Sequence, residues 1–254
     1  MDTPTMRRIH RERVLLVGGQ RALLLQLAHP MVAAGVADHS DFPRGALERL
    51  RRTLDLTLAT VFGTPGEAEA AVASIRRVHE RVSGSRAGRA YRATDPRLLL
   101  WVNATLIDTT LVVYERFVRR LSADERNRYY EEAKPFGPLY GIPEQETPPD
   151  LESFGEYMRE MTHGDELKAT EESRRLVAAV LRPPLPFWWR GPTEVVRLVT
   201  LALLPERIRD MFGLRAGRAA RLTLEASSRA SRALLPVLPE RLKSFPQARR
   251  TEGR

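Results

Sequence analysis

The stretch DPRLLLWVNATLIDTTLVVYERFVRRL, residues 95–121, decides the fold. Asp95 and Pro96 open it as a helix start. The apolar run through Trp101 and Leu106 makes it the helix expected to be most buried, ending by Leu121. Helix signals recur on both sides of this stretch, whereas alternating Val/Ile/Thr patterns bounded by turn residues do not, so the chain reads as all-α. Before it, Asp41, Phe42 and Pro43 open a helical segment that Gly63 ends. Thr64, Pro65 and Glu67 then form a capping-box start for a helix expected to end at Gly84. After it, Ser122 with Glu125 repeats that chemistry for a helix reaching the turn near Gly137 and Gly141. Pro148 and Pro149 precede a helix over 151–161, and further helices are expected over 171–181, 193–204 and 216–234.

The expected organisation is a single globular multi-helix domain over residues 1–245, followed by a disordered tail over 246–254. Residues 183–192 form the only candidate linker, and their Phe187, Trp188 and Trp189 read as packing residues, so the domain is not divided there. A chain of 254 residues can bury a large core without covalent staples. It contains no cysteine, which excludes disulfides, thiolate ligands, iron–sulfur clusters, cysteine nucleophiles and covalent c-type haem attachment. The polar, arginine-bearing first residues do not resemble a secretory leader, so a cytoplasmic location is expected. No membrane-spanning segment is expected either, since the best candidate, residues 185–204, carries Arg190, Glu194 and Arg197.

The net charge is +9, and residues 201–254 carry twelve basic against five acidic side chains. Nearly all the cations are arginine and the excess is local, so no nucleic-acid partner is expected. There is no Walker loop, no dinucleotide-binding glycine pattern, no H-E-x-x-H and no nucleophile elbow. A carboxylate di-iron bundle needs two E-x-x-H pairs, and only Glu160 with His163 occurs.

The five histidines carry most of the remaining chemistry. Ala68, Val72, Ile75, His79 and Val82 recur at three- and four-residue steps, which puts the His79 imidazole on an apolar helix face. An imidazole there needs a hydrogen-bond partner or a metal, and periodicity alone favours the core histidine. On the preceding helix Arg49, Arg52 and Thr53 share one side, with Thr53 at the border of a stripe of Leu47, Leu50, Leu54, Leu58 and Val61. That cluster is either a solvated face or a hydroxyl and a fixed cation beside an enclosed ligand. His29, before Pro30, reads as a helix-end residue, and Ser40 and Asp41 as N-capping residues. Asp38, His39 and Asp41 with His29 form a weaker non-haem metal candidate without a recognised ligand spacing. His163 reads as a helix-terminal group, and His10 as part of an exposed basic segment.

Four segments in order are similar to the rubber oxygenase (latex-clearing protein) and mpaB-type oxygenase family, in its shorter bacterial branch. They are LAHPMVAAGVADHSDF (27–42), RLRRT (49–53), RRVH (76–79) and DPRLLLWVNATL (95–106), and the likeness in order and spacing extends over residues 10–245. The resemblance implies an all-helical fold enclosing a non-covalent b-type haem. It implies His79 as axial ligand, Arg49 and Thr53 on the distal side, and Arg76 near the haem. It further implies an oxygenase that oxidises a lipophilic small molecule with dioxygen or peroxide. Two positions depart from the family. Arg52 stands where rubber oxygenases carry a lysine, and a guanidinium does not readily deprotonate to serve as a ligand. Asn103 stands where many relatives carry a histidine, so only an orienting role toward a ligand or propionate is left to it. These departures keep two alternatives open, a non-catalytic haem-binding protein and a haem-free helical interaction protein.

The aromatic trio at 187–189 precedes a helix that is apolar on nearly every side. The first reading is a core helix. The second is a peripheral membrane contact, aided by Arg218, Arg221, Arg229 and Arg232 along the next helix, a row that Glu225 interrupts.

Overall fold

A computed structural model of the chain describes residues 3–39, 46–86 and 88–252, with the side chains of 46–52 and 251–252 left aside. The architecture is a layered bundle built around α6 (Pro96–Phe117). Asp95 caps this helix by accepting the Arg97 amide at 2.9 Å, and Pro96 occupies its first turn, where a missing N–H costs nothing. Trp101, Ala104, Thr105 and Val113 are essentially inaccessible, and burying the apolar side chains among them is worth about 1.5–3 kcal/mol for each large one. α6 is long and apolar enough to span a bilayer by length and composition, which corrects the expectation that no segment would be. Its buried face meets protein on several sides, as a core helix does.

The N-terminal elements wrap this helix. α1 (Pro4–His10) is followed by a 3-10 turn over Arg13–Gly18 and α2 (Gly19–Leu27). Gly18 passes so close to α6 that a Cβ there would lie 2.6 and 2.8 Å from methyls of Thr109 and Val113. Trp101 donates its indole N–H to the Leu25 carbonyl of α2 at 3.2 Å. Arg21 of α2 is buried but satisfied: it donates to the Leu203 carbonyl (2.9 Å) and Thr109 Oγ1 (2.6 Å) and pairs with Asp108 at 2.8 Å. α3 (Pro30–His39) begins after His29, whose Nδ1 accepts the Met31 amide at 3.2 Å, so His29 is the helix-end residue its proline neighbour suggested.

α4 (Ala46–Phe62) and α5 (Pro65–Glu80) form a helical hairpin. Gly63 closes α4 with an amide to the Ala59 carbonyl, and Thr64 with Glu67 builds the expected capping box, at 3.3 and 2.8 Å. The helix does not run to Gly84. β1 (Ser83–Arg86) and β2 (Arg89–Arg92) make a small antiparallel hairpin where the helix was expected to continue, within a mostly helical fold consistent with the all-α reading. Gly88, with φ +74°, supplies the tight turn. Gly84 faces Tyr91 across the pair and leaves room for its ring, since a Cβ would sit 2.5 Å from the hydroxyl. That hydroxyl donates to Asp38 of α3 at 2.6 Å, and Arg86 bridges Asp38 and Glu172.

After α6 come α7 (Ala123–Ala133), opened by the Ser122–Glu125 capping box, α8 (Phe136–Tyr140), α9 (Leu151–His163) and α10 (Glu171–Leu181). Gly141, in the left-handed region at φ +98°, ends α8. The C-terminal layer holds α11 (Arg190–Leu203), α12 (Glu206–Met211) and α13 (Arg218–Leu234). Ser231 of α13 donates to the Phe117 carbonyl at the end of α6 (2.8 Å). α14 (Glu240–Lys243) and α15 (Pro246–Glu252) follow. The segment expected to be an unstructured tail is thus helical to 252, with Phe245 and Ala248 buried in the main core. The Phe245 amide donates to the Arg11 carbonyl at 3.0 Å, tying the end of the chain to its beginning.

A further correction concerns the aromatic trio. Phe187, Trp188 and Trp189 do not pack: they form a 3-10 turn ahead of α11 and are 72%, 66% and 50% exposed.

Candidate functional site

The α4–α5 hairpin carries most of the site residues read from the sequence. Counted from its turn, His79 and Arg76 lie at nearly the same distance along α5 as Arg49 and Thr53 along α4, about 20 Å at 1.5 Å per residue. Both groups therefore belong to the open end of the hairpin. The side chains of Arg49 and Arg52 lie outside the described residues. Thr53 is exposed, and its carbonyl accepts the Thr57 hydroxyl at 2.8 Å. On α5 the periodic stripe holds: Val72 is buried, Ile75 and His79 are half-buried, and Arg76, Arg77 and Val78 face solvent. The stripe continues past the helix end to half-buried Val82, whose amide donates to the His79 carbonyl at 3.0 Å.

Beside α5 lies an open cavity of about 650 Å³. Its apolar floor comes from Val61 of α4, Ala68 and Val72 of α5, and Phe136 and Leu139 of α8. Arg7, Arg76 and Arg77 contribute cations, against the carboxylates of Glu69 and Glu80. Arg7 is held in place by donating from Nε to the Val61 carbonyl at 3.1 Å. Thr60 lines the wall as well, and the hydroxyl of Tyr140 bonds to its side chain, where burial pushes the phenol above its ordinary pKa. Arg76 is thus brought to the cavity. His79 is not among its lining residues, although Arg76, Arg77 and Glu80 on either side of it are; at about 100° per residue its side chain leaves α5 within about 20° of the Val72 direction. Asn103 is half-buried on α6 and outside the lining.

The donor set distinguishes kinds of metal site. A metal held by side chains alone needs three or four ligands. No group of three or more His, Asp or Glu capable of holding one occurs among the described residues. Of the four residues in the weaker metal candidate, Asp41 lies outside the described residues. His29 caps α3, Asp38 is engaged by Tyr91 and Arg86, and His39 Nε2 contacts the Ser83 carbonyl at 3.0 Å. A haem brings four nitrogen ligands of its own and asks the protein for one imidazole, an apolar slot and cations for its propionates. In residue type the set fits: α5 carries the imidazole of His79, and the cavity beside it supplies apolar side chains and the arginines, with the imidazole itself outside the cavity lining.

Three contributions to this region were not legible in the sequence. Arg7, Phe136 and Leu139 reach the cavity from segments distant along the chain, and no local periodicity announces them. His10 is a larger departure. Expected on an exposed segment, it is half-buried, stacks on Tyr129 with ring centroids 5.9 Å apart, and bonds its hydroxyl at 3.2 Å. Burial lowers its pKa to about 4. His163 sits at the α9 terminus as anticipated, with Nδ1 against the Arg159 carbonyl at 3.0 Å.

Comparison with known proteins bears on the same region. The family described as ER-bound oxygenase mpaB/B'/Rubber oxygenase, catalytic domain, matches residues 6–233. Uncharacterized proteins of Mycobacterium bovis and Mycobacterium tuberculosis are each 28% identical over 170 residues, covering 65% of this chain and 67% of theirs.

Proposed function

Because the chain belongs to the mpaB/rubber oxygenase catalytic-domain family, we propose that it is a haem-dependent oxygenase acting on a lipophilic small molecule with dioxygen or peroxide. The observation that carries the proposal is the family match over residues 6–233, which spans the α5 face bearing His79 beside an apolar, arginine-rimmed cavity. A non-covalent b-type haem supplies the electronics of oxygen activation when bound.

The protein's own groups have separable tasks. His79 would give its ring nitrogen to the iron and fix the group on α5. Arg76, with Arg7 and Arg77 nearby, would neutralise propionate charge at the cavity rim. Thr53 and Arg49 would orient the oxidant by donating hydrogen bonds, and Arg52 would remain a fixed cation and not a ligand. The Asn103 amide would serve as an orienting donor or acceptor. Val61, Val72, Phe136 and Leu139 would receive the alkyl part of the substrate and exclude water from it.

Turnover tests this reading. Purified chain reconstituted with haem is given oxygen or peroxide together with an alkene or isoprenoid, and products are read by mass spectrometry. Oxidised product is expected, falling roughly 100-fold or more in Thr53→Ala and Arg49→Ala while the absorption spectrum persists. A spectral change without product would instead make the chain a haem-binding protein without catalysis, and a colourless chain a haem-free one.

A further inference from the structure

The segment 186–192 is exposed throughout, and it holds two of the chain's three tryptophans. Trp101 is fully buried, whereas Trp188 is two-thirds exposed and Trp189 half exposed beside Phe187, whose ring stands edge-on to Trp188 at 5.1 Å. Left in water, such apolar surface is costly. The described residues leave at least half of each of the three side chains uncovered. Between 182 and 193 the charged residues are Arg182 and Arg190, both exposed, with no carboxylate among them. The first carboxylate beyond is Glu194, which Arg197 holds at 2.8 and 2.5 Å and whose acidity is increased by Arg197 and, further off, Arg182. The tip is therefore apolar and cationic together.

We propose that this tip docks the protein on a bilayer carrying anionic phospholipid, with the three rings at the headgroup level and Arg182 and Arg190 against lipid phosphates and carboxylates. Aromatic rings flanked by cations match the interfacial zone of a membrane, where the ring body is apolar-facing and the charges meet negative headgroups. A second protein is a poorer occupant. Three rings, each of about 150–250 Å² in full, expose less than the roughly 800 Å² per partner that a stable protein interface buries. A bilayer needs no complementary surface. The inference rests on surface residues alone and does not depend on the haem reading.

Co-sedimentation of the full chain with phosphatidylcholine vesicles, with and without phosphatidylserine, tests it. Binding to the phosphatidylserine vesicles is expected, with a blue shift of tryptophan emission and weakening by added salt. The variant Phe187→Ser/Trp188→Ser/Trp189→Ser should bind roughly tenfold or more weakly at an unchanged melting temperature, because these side chains support no core. Arg182→Gln/Arg190→Gln should lose only the preference for phosphatidylserine. Equal partitioning of parent and triple serine variant would overturn the proposal, as would no binding by either. So would sedimentation velocity showing a parent dimer that the serine variant dissolves while neither binds vesicles.

Discussion

His10 and Arg21 place an ionisable side chain in the core in two different ways. His10, stacked on Tyr129, has its pKa lowered from 6.5 to about 4 by burial. Between those values the unfolded chain binds a proton at this position that the folded chain does not, so stability rises with pH through the window and is lost as pH falls. The contribution is up to about 3 kcal/mol. Burial lowers His29 as well, and its loss has the same sign. Denaturant titrations from pH 7 to pH 4 should therefore show a smaller decline for His10→Phe than for the parent; identical declines would remove His10 from the account. Arg21 shows the opposite solution to burial, since its charge stays and each of its three guanidinium nitrogens meets a carbonyl, a hydroxyl or Asp108. Arg21→Ala should cost about 3–5 kcal/mol, measured by chemical denaturation, because it opens a cavity and strands those partners.

Among the elements, local chemistry was legible wherever it is local. The capping boxes at Thr64 and Ser122, the proline start of α6 and the glycine stop at Gly63 all appear in the fold because each involves residues within four positions of one another. Thr64→Ala should accordingly lower stability by about 1 kcal/mol in thermal melts. The β1–β2 hairpin was missed because SGSR and RAYR lack β-branched residues, and its pairing depends on the Tyr91 ring lying over Gly84 and reaching Asp38. Close approach between elements is equally silent in sequence. Gly18 against Thr109 and Val113 is such a contact, and Gly18→Ala should destabilise by about 1–3 kcal/mol through overpacking, seen as a lower melting temperature. The aromatic trio was misread for a related reason: apolar composition says that a surface seeks cover, not whether the chain itself supplies it.

At the scale of the whole molecule, the helical bundle around α6 and the family were both readable before any coordinates, because the ordered segments from 27 to 106 carry far more information than one motif. The site was readable in part. The His79 stripe follows from helix periodicity, whereas the cavity beside it is assembled from α1, α4, α5 and α8, whose convergence only tertiary packing defines. The tail from 246 was read as unstructured from its terminal position, yet α15 runs through it to 252 and buries Ala248 beside Phe245 in the core. The proposed haem ligation rests on the imidazole of His79. The most direct measurement is the absorption spectrum of the chain titrated with haem, beside His79→Ala and the neighbouring Arg77→Ala. A sharp Soret band at one haem per chain is predicted for the parent and Arg77→Ala, and its loss or displacement for His79→Ala. A parent spectrum no different from free haem, or an unaltered band in His79→Ala, would contradict it.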